Sequence, residues 1–131
     1  MNREIKFRGA RVANNQMIYG YFVVAPNGEH RIYMQPFPEA TNNTYYSVWN
    51  NSVSQFTGQQ DCNDKDIYEG DIIKTGTDKV MCVRWSQKHA SFVIDREGWA
   101  FLHYFGEAFD GKDCEVIGNK FENPELLVNK N

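Results

Sequence analysis

One stretch, Gln55 to Ile73, constrains the fold most. It reads Q-F-T-G-Q-Q-D-C-N-D-K-D-I-Y-E-G-D-I-I. Asp61, Asn63, Asp64 and Asp66 have short side chains that hydrogen-bond their own backbone and tolerate tight turns. Ile67 and Tyr68 favour an extended chain. In Tyr68-Glu69-Gly70-Asp71 the glycine holds the third turn place, where a type II turn needs a positive φ. Ile72 and Ile73 then open a strand. The pattern predicts a structural corner feeding a small β-barrel. The competing reading is a cation site made of Asp61, Asp64, Asp66, Glu69 and Asp71. It fails against the EF-hand loop, because Lys65 takes the fifth place, Asp66 the place of the glycine and Ile72 the place of the closing glutamate.

The rest of the chain repeats the same grammar of short β runs and turns. Residues 3–8 alternate, with Ile5 and Phe7 on one face and Glu4, Lys6 and Arg8 on the other, as in a half-buried strand. Ala13-Asn14-Asn15-Gln16 is a turn. Met17 to Ala25 is a strand with Tyr19, Tyr21 and Val23 on one face, and Gly20 inside it marks a bulge or a close backbone approach. Pro26-Asn27-Gly28 turns the chain, and His30 to Gln35 returns, giving an amino-terminal meander over 3–35. Residues 36–54 are irregular and rich in Asn and aromatics, with a loop at 36–43 and a short strand at 44–49. Strands follow at 72–75, 79–85, 91–95 and 99–102. His103 to Lys112 has room for one helical turn. Cys114 to Phe121 is a strand with Gly118 as its bulge. Asn123-Pro124-Glu125 has the form of a helix start: an N-cap, proline in the first place and an acid in the first turn. Leu126 and Leu127 are expected to dock on the sheet. The reading is one mainly β domain over 1–131, an antiparallel meander packed on a small SH3-like β-barrel within 55–127, with a short carboxyl-terminal helical turn.

Charge narrows the partners. The 131 residues carry a formal net charge of −3, which argues against a surface wholly designed for nucleic acid. The distribution is uneven: residues 1–36 hold five Lys/Arg against two Asp/Glu, and the remainder holds nine against fifteen. Cys62, Cys82 and Cys114 are odd in number and widely spaced, which predicts free thiols in a reducing cytosol and neither a zinc ribbon nor a C-x-x-C redox site. The charged amino end lacks the apolar core of a secretory signal. No segment is long and apolar enough to span a membrane. Cytoplasmic location is the expectation.

Catalytic signatures are missing. Neither phosphate-cradling glycine pattern occurs, there is no G-x-S-x-G elbow, and His30, His89 and His103 fall in no metal-ligand spacing. Asp110, Asp113 and Glu115 read as a solvated rim. No cofactor is expected.

Three segments together resemble the YopX-like family of phage and prophage proteins. They are Arg3-Glu4-Ile5-Lys6-Phe7-Arg8 at the amino end; Gln55-Phe56-Thr57-Gly58 with Ile67-Tyr68-Glu69-Gly70-Asp71-Ile72-Ile73 in the middle; and Glu115-Val116-Ile117-Gly118-Asn119 with Phe121-Glu122-Asn123-Pro124-Glu125-Leu126-Leu127 at the carboxyl end. Residues 9–52 and 74–113 match loosely, and Asp64 stands where the family turn usually has Asn-Gly. The resemblance implies a β-rich phage accessory protein and supplies no mechanism.

The expected function is a non-enzymatic interaction module in the bacterial cytoplasm, binding a host or phage protein, with self-association as a further option. Its candidate surface is Tyr45, Tyr46 and Trp49, since such residues dominate binding energy at a contact centre. They are equally suited to covering a sheet, and that reading is slightly preferred. The alternative is a nucleic-acid-binding small barrel that uses the basic strand residues Arg3, Lys6, Arg8 and Arg11 for phosphate contacts.

Overall fold

The computed structural model describes residues 5–34, 44–75, 80–87, 90–95, 103–104 and 111–127. Arg3, the loop expected at 36–43 and the strand expected at 99–102 lie outside these residues. The described chain is mainly β and antiparallel, with eleven strands and a few 3-10 turns among the described residues. It divides into two compact units, Met1–Phe56 and Thr57–Asn131.

The first unit is a meander: β1 (Phe7–Ala10), β2 (Met17–Val24), β3 (His30–Tyr33) and β4 (Tyr45–Ser47), with the start of β5 (Ser54–Gln60) on the far side of β1. The turns between strands follow their chemistry. Asn15 closes the first with φ 61°, and Gly28 the second with φ 88°. Gly28 N–H donates to Ala25 O at 2.8 Å across that second turn. After β4 the chain reaches back to the end of β1. Arg11 and Val48 form an antiparallel bridge. Val12 N–H donates to Ser47 O at 2.9 Å and Trp49 N–H to Ala10 O at 3.0 Å. The four strands thus return on themselves. Phe7, Phe22, Ile32 and Val48 share one face; Ile32 and Val48 are buried, and the Phe7 and Phe22 rings lie 5.5 Å apart. Gly20 is a close approach, as its position in β2 suggested: a Cβ there would sit 2.2 Å from Tyr33 O.

The first strand differs from expectation. It begins at Phe7 rather than Arg3 and runs to Ala10. Ile5, expected on the buried face, is 53% exposed, whereas Arg8, expected on the polar face, is 5% exposed. Alternation counts a residue's type but not its partners. Arg8 Nε donates to Ser54 Oγ at 3.0 Å, and that cross-strand hydroxyl lets the guanidinium be covered.

The second unit begins in β5, which pairs with β6 (Asp66–Tyr68). A sheet of order β10-β9-β8-β7-β11 follows, from β7 (Asp71–Thr75), β8 (Val80–Ser86), β9 (Ser91–Asp95), β10 (His103–Tyr104) and β11 (Cys114–Asn119). Its core is Ile67, Ile73, Met81, Val83, Ile94, Cys114 and Val116. Each large aliphatic side chain in it contributes about 1.5–3 kcal/mol. Gly70 has φ 88°, the positive value its turn place requires. The pairing of β11 with β7 shifts register between Val116 and Gly118, which is the expected bulge.

Three local expectations change here. His103–Tyr104 is a strand rather than part of a helical turn, and Gly111–Asp113 is a 3-10 turn. β11 ends at Asn119, two residues early, because Asn119 Oδ1 accepts from Phe121 N–H at 3.0 Å and Glu122 N–H at 2.8 Å and so bends the chain. Asn123 does not cap the following turn with its side chain. Its Oδ1 accepts from Asn119 N–H at 3.2 Å, and its backbone carbonyl accepts from Leu126 N–H at 3.0 Å. Leu126 and Leu127 sit in a 3-10 turn, Pro124–Leu127, that packs near β8.

Candidate interaction surface

Pairing register decides which side chains share a face. Tyr21 pairs with Tyr33, and Tyr33 pairs with Tyr45. Directly paired residues of an antiparallel sheet project to the same side. The three tyrosines therefore form a row across β2, β3 and β4, and Tyr19, two residues from Tyr21, stands beside it. Tyr19 is 51% exposed and Tyr21 39%, whereas Tyr33 is buried. The Tyr33 and Tyr45 rings are 5.1 Å apart and tilted.

The same side carries charge. Arg31 pairs with Val23 on one side and Ser47 on the other. Its guanidinium lies 4.2 Å above the Tyr45 ring, and its Nη1 donates to Tyr33 Oη at 3.2 Å. Its Nε donates to Glu29 Oε1 at 2.7 Å. Glu29 also accepts from the Ser47 hydroxyl. That hydroxyl first, and Arg31 second, hold the Glu29 carboxyl below its ordinary range. The Glu29 hydrogen bond, followed by the one to Tyr33, raises Arg31 further. The result is a fixed guanidinium over an aromatic row, oriented by a carboxylate that stays ionised at neutral pH.

The residues singled out from sequence do not form one patch. Tyr45 and Tyr46 are consecutive in β4 and point to opposite sides. Tyr45 joins the tyrosine row, and Tyr46 lies under the Arg11 guanidinium at 4.1 Å. Trp49 follows β4, is 44% exposed, and its indole N–H donates to Asn15 Oδ1 at 2.8 Å, tying it to the first turn. Of the basic residues, Arg8 is buried, Arg11 covers Tyr46, and the Lys6 ammonium is 4.7 Å from the Phe56 ring centroid. These four do not make a row of outward charges. Tyr19, Tyr21 and Tyr33 were missed as surface residues. The alternation of Tyr19 and Tyr21 was visible in sequence, but their link to Tyr45 rests on strand register, which the chain does not spell out locally.

In the second unit the acidic stretch serves structure. Asp61 is 1% exposed. Its Oδ1 accepts from Asn63 N–H at 2.8 Å and Lys65 N–H at 2.9 Å, and its Oδ2 from Val116 N–H at 2.9 Å. Asp64, with φ 63°, completes the turn and pairs with Lys112. The Asp71 carboxylate accepts from Tyr68 N–H at 2.8 Å. No group of three or more His, Cys, Asp or Glu side chains among the described residues is placed to hold a metal ion. No helix among the described residues is long and apolar enough to cross a membrane.

Fold and face together define a mainly β, antiparallel protein with a tyrosine-rich sheet surface. The chain belongs to the YopX protein family, whose model matches residues 6–128. Comparison with curated proteins gives no match.

Proposed function

We propose that the protein is a non-enzymatic interaction module, a phage or prophage accessory protein of the bacterial cytoplasm, which binds through the outer face of its first unit. The observation that carries this reading is the exposed pair Tyr19 and Tyr21 beside the row Tyr21–Tyr33–Tyr45, with Arg31 stacked on it. Tyrosine and arginine supply large contact area with few rotors to freeze, so they carry binding energy efficiently. The SH3-like barrel expected for the second unit is part of the proposal; the consecutive antiparallel pairings of β7, β8, β9 and β10, with β11 beside β7, support it.

A host or phage protein is the occupant that the family context suggests, and a second copy of the chain is a further one. Nucleic acid is the other reading, and one observation favours it: aromatic rings and cations occupy the same sheet face. An affinity capture from host lysate tests the module reading, comparing the wild type with Tyr19→Ala/Tyr21→Ala. A specific partner, protein or nucleic acid, should be retained by the wild type and lost from the variant. Equal recovery by both would remove this face from consideration.

A further inference from the structure

We infer that the tyrosine face takes single-stranded nucleic acid. The inference rests on the reading of that face as the binding surface and narrows its occupant. Four features carry it. First, the rings that reach solvent, Tyr19 and Tyr21, lie on β2, which has a strand on either side in the order β4-β3-β2-β1. They are two residues apart, about 7 Å along the strand, so two bases have room to stack side by side. Second, Tyr33 and Tyr45 continue the platform in register. Base stacking on such rings tolerates any sequence, because every base has a π-face.

Third, the formal charge on this face has the sign that phosphate needs. Lys6, Arg8 and Arg31 fall on it by alternation and pairing, against the single acid Glu29. Arg8 is buried and shapes the field rather than touching a ligand. The Lys6 and Arg31 head groups are left for phosphate contact. Glu29 offsets part of Arg31, so stacking dominates over charge. Fourth, the exposed members of this face are mainly hydroxylated rings. Val23 on it is only half-buried, but the broad aliphatic centre of a stable protein contact is lacking among the described residues. The rigid, tyrosine-rich sheet is a stacking platform, and a duplex, whose bases are already stacked on each other, cannot use it. DNA and RNA single strands share this chemistry, and the assay separates them.

The test is fluorescence anisotropy with the full chain. The probes are labelled thymidine and uridine strands of about 20 nucleotides, and a duplex of the same length, at about 50 mM salt. Single strands should bind and the duplex should bind at least about tenfold more weakly. Tyr19→Ala and Tyr21→Ala should each weaken binding about 5- to 150-fold, the equivalent of one lost stacked base. Tyr21→Phe should retain it, since the ring remains. The affinity should fall with salt at a slope of about −1.4, for two neutralised phosphates on a single strand. An unchanged thermal melt of the alanine variants shows that the fold is intact; were one to unfold, Tyr21→Ser and Arg31→Gln replace it. Three results would overturn the inference: no single-strand binding up to about 100 μM, equal or tighter binding of the duplex, or binding indifferent to both tyrosines. If single strands do not bind but lysate capture of a protein still depends on Tyr19 and Tyr21, this inference fails and the interaction-module reading stands. If neither depends on them, both fail.

Discussion

At the scale of the residue, Asp61 does the most with the fewest atoms. Burial pushes its carboxyl up, but the backbone N–H groups of Val116, Lys65 and Asn63, with the charge of Lys65, outweigh that and hold it below its ordinary value. A carboxylate with a depressed folded pKa stabilises fully above its unfolded value, near about 3.9, and loses that contribution as pH falls through the folded value. Asp61→Asn puts an amide donor against N–H donors and should cost about 2–4 kcal/mol at neutral pH. Urea melts at a series of pH values check this. The gap between wild type and variant should be full near pH 7 and should close below pH ~4 as the wild-type carboxylate protonates. A gap independent of pH would mean that the charge on Asp61 contributes nothing. The sequence showed this aspartate as turn chemistry; its third bond, to a strand more than fifty residues later, had no local signature.

At the scale of the element, what could be read in advance was whatever a turn or a bulge encodes within a few residues. Gly28, Gly70 and Gly118 each fell at its expected place because a positive φ or a register shift leaves a local trace in sequence. What could not be read was pairing at a distance. Arg8 looks like an outward cation until Ser54 stands across from it, and Tyr45 and Tyr46 look like one patch until β4 turns them to opposite sides. The β2–β3 hairpin gives a direct test of register. Gly20 is the only residue type that fits beneath Tyr33 O, where a Cβ would lie at 2.2 Å. Gly20→Ala should therefore destabilise despite alanine's better intrinsic strand behaviour, by roughly 1–3 kcal/mol of overpacking. The contrast is Gly28→Ala, where a Cβ meets nothing within 4 Å but the backbone sits at φ 88°; its cost should be about 1 kcal/mol, from backbone strain alone. Chemical denaturation of both variants checks the order. A stabilised Gly20→Ala protein would show that the two strands are not paired in this register.

At the scale of the whole molecule, the chain is two units with opposite formal charge. Residues 1–56 carry five Lys/Arg against three Asp/Glu, and residues 57–131 carry nine against fourteen. The net acidity therefore belongs to the second unit, and the global charge is a poor guide to the first. All three cysteines also fall in the second unit, at three depths: Cys62 exposed, Cys82 intermediate and Cys114 buried in the core. They form a graded set of thiol probes for that unit's stability. Native alkylation followed by mass spectrometry should modify Cys62 first, Cys82 more slowly, and Cys114 only at the rate at which the core opens. With Asp61→Asn, which unties the turn from β11, Cys114 should be modified faster, because Val116 N–H is one of the bonds lost and Cys114 lies in the same strand. Cys62, already exposed, should keep its rate. Unfolded in denaturant without reductant, the chain should present three reactive thiols. A native disulfide, or a Cys114 as reactive as Cys62, would mean that β11 is not locked against the core by the Asp61 carboxylate.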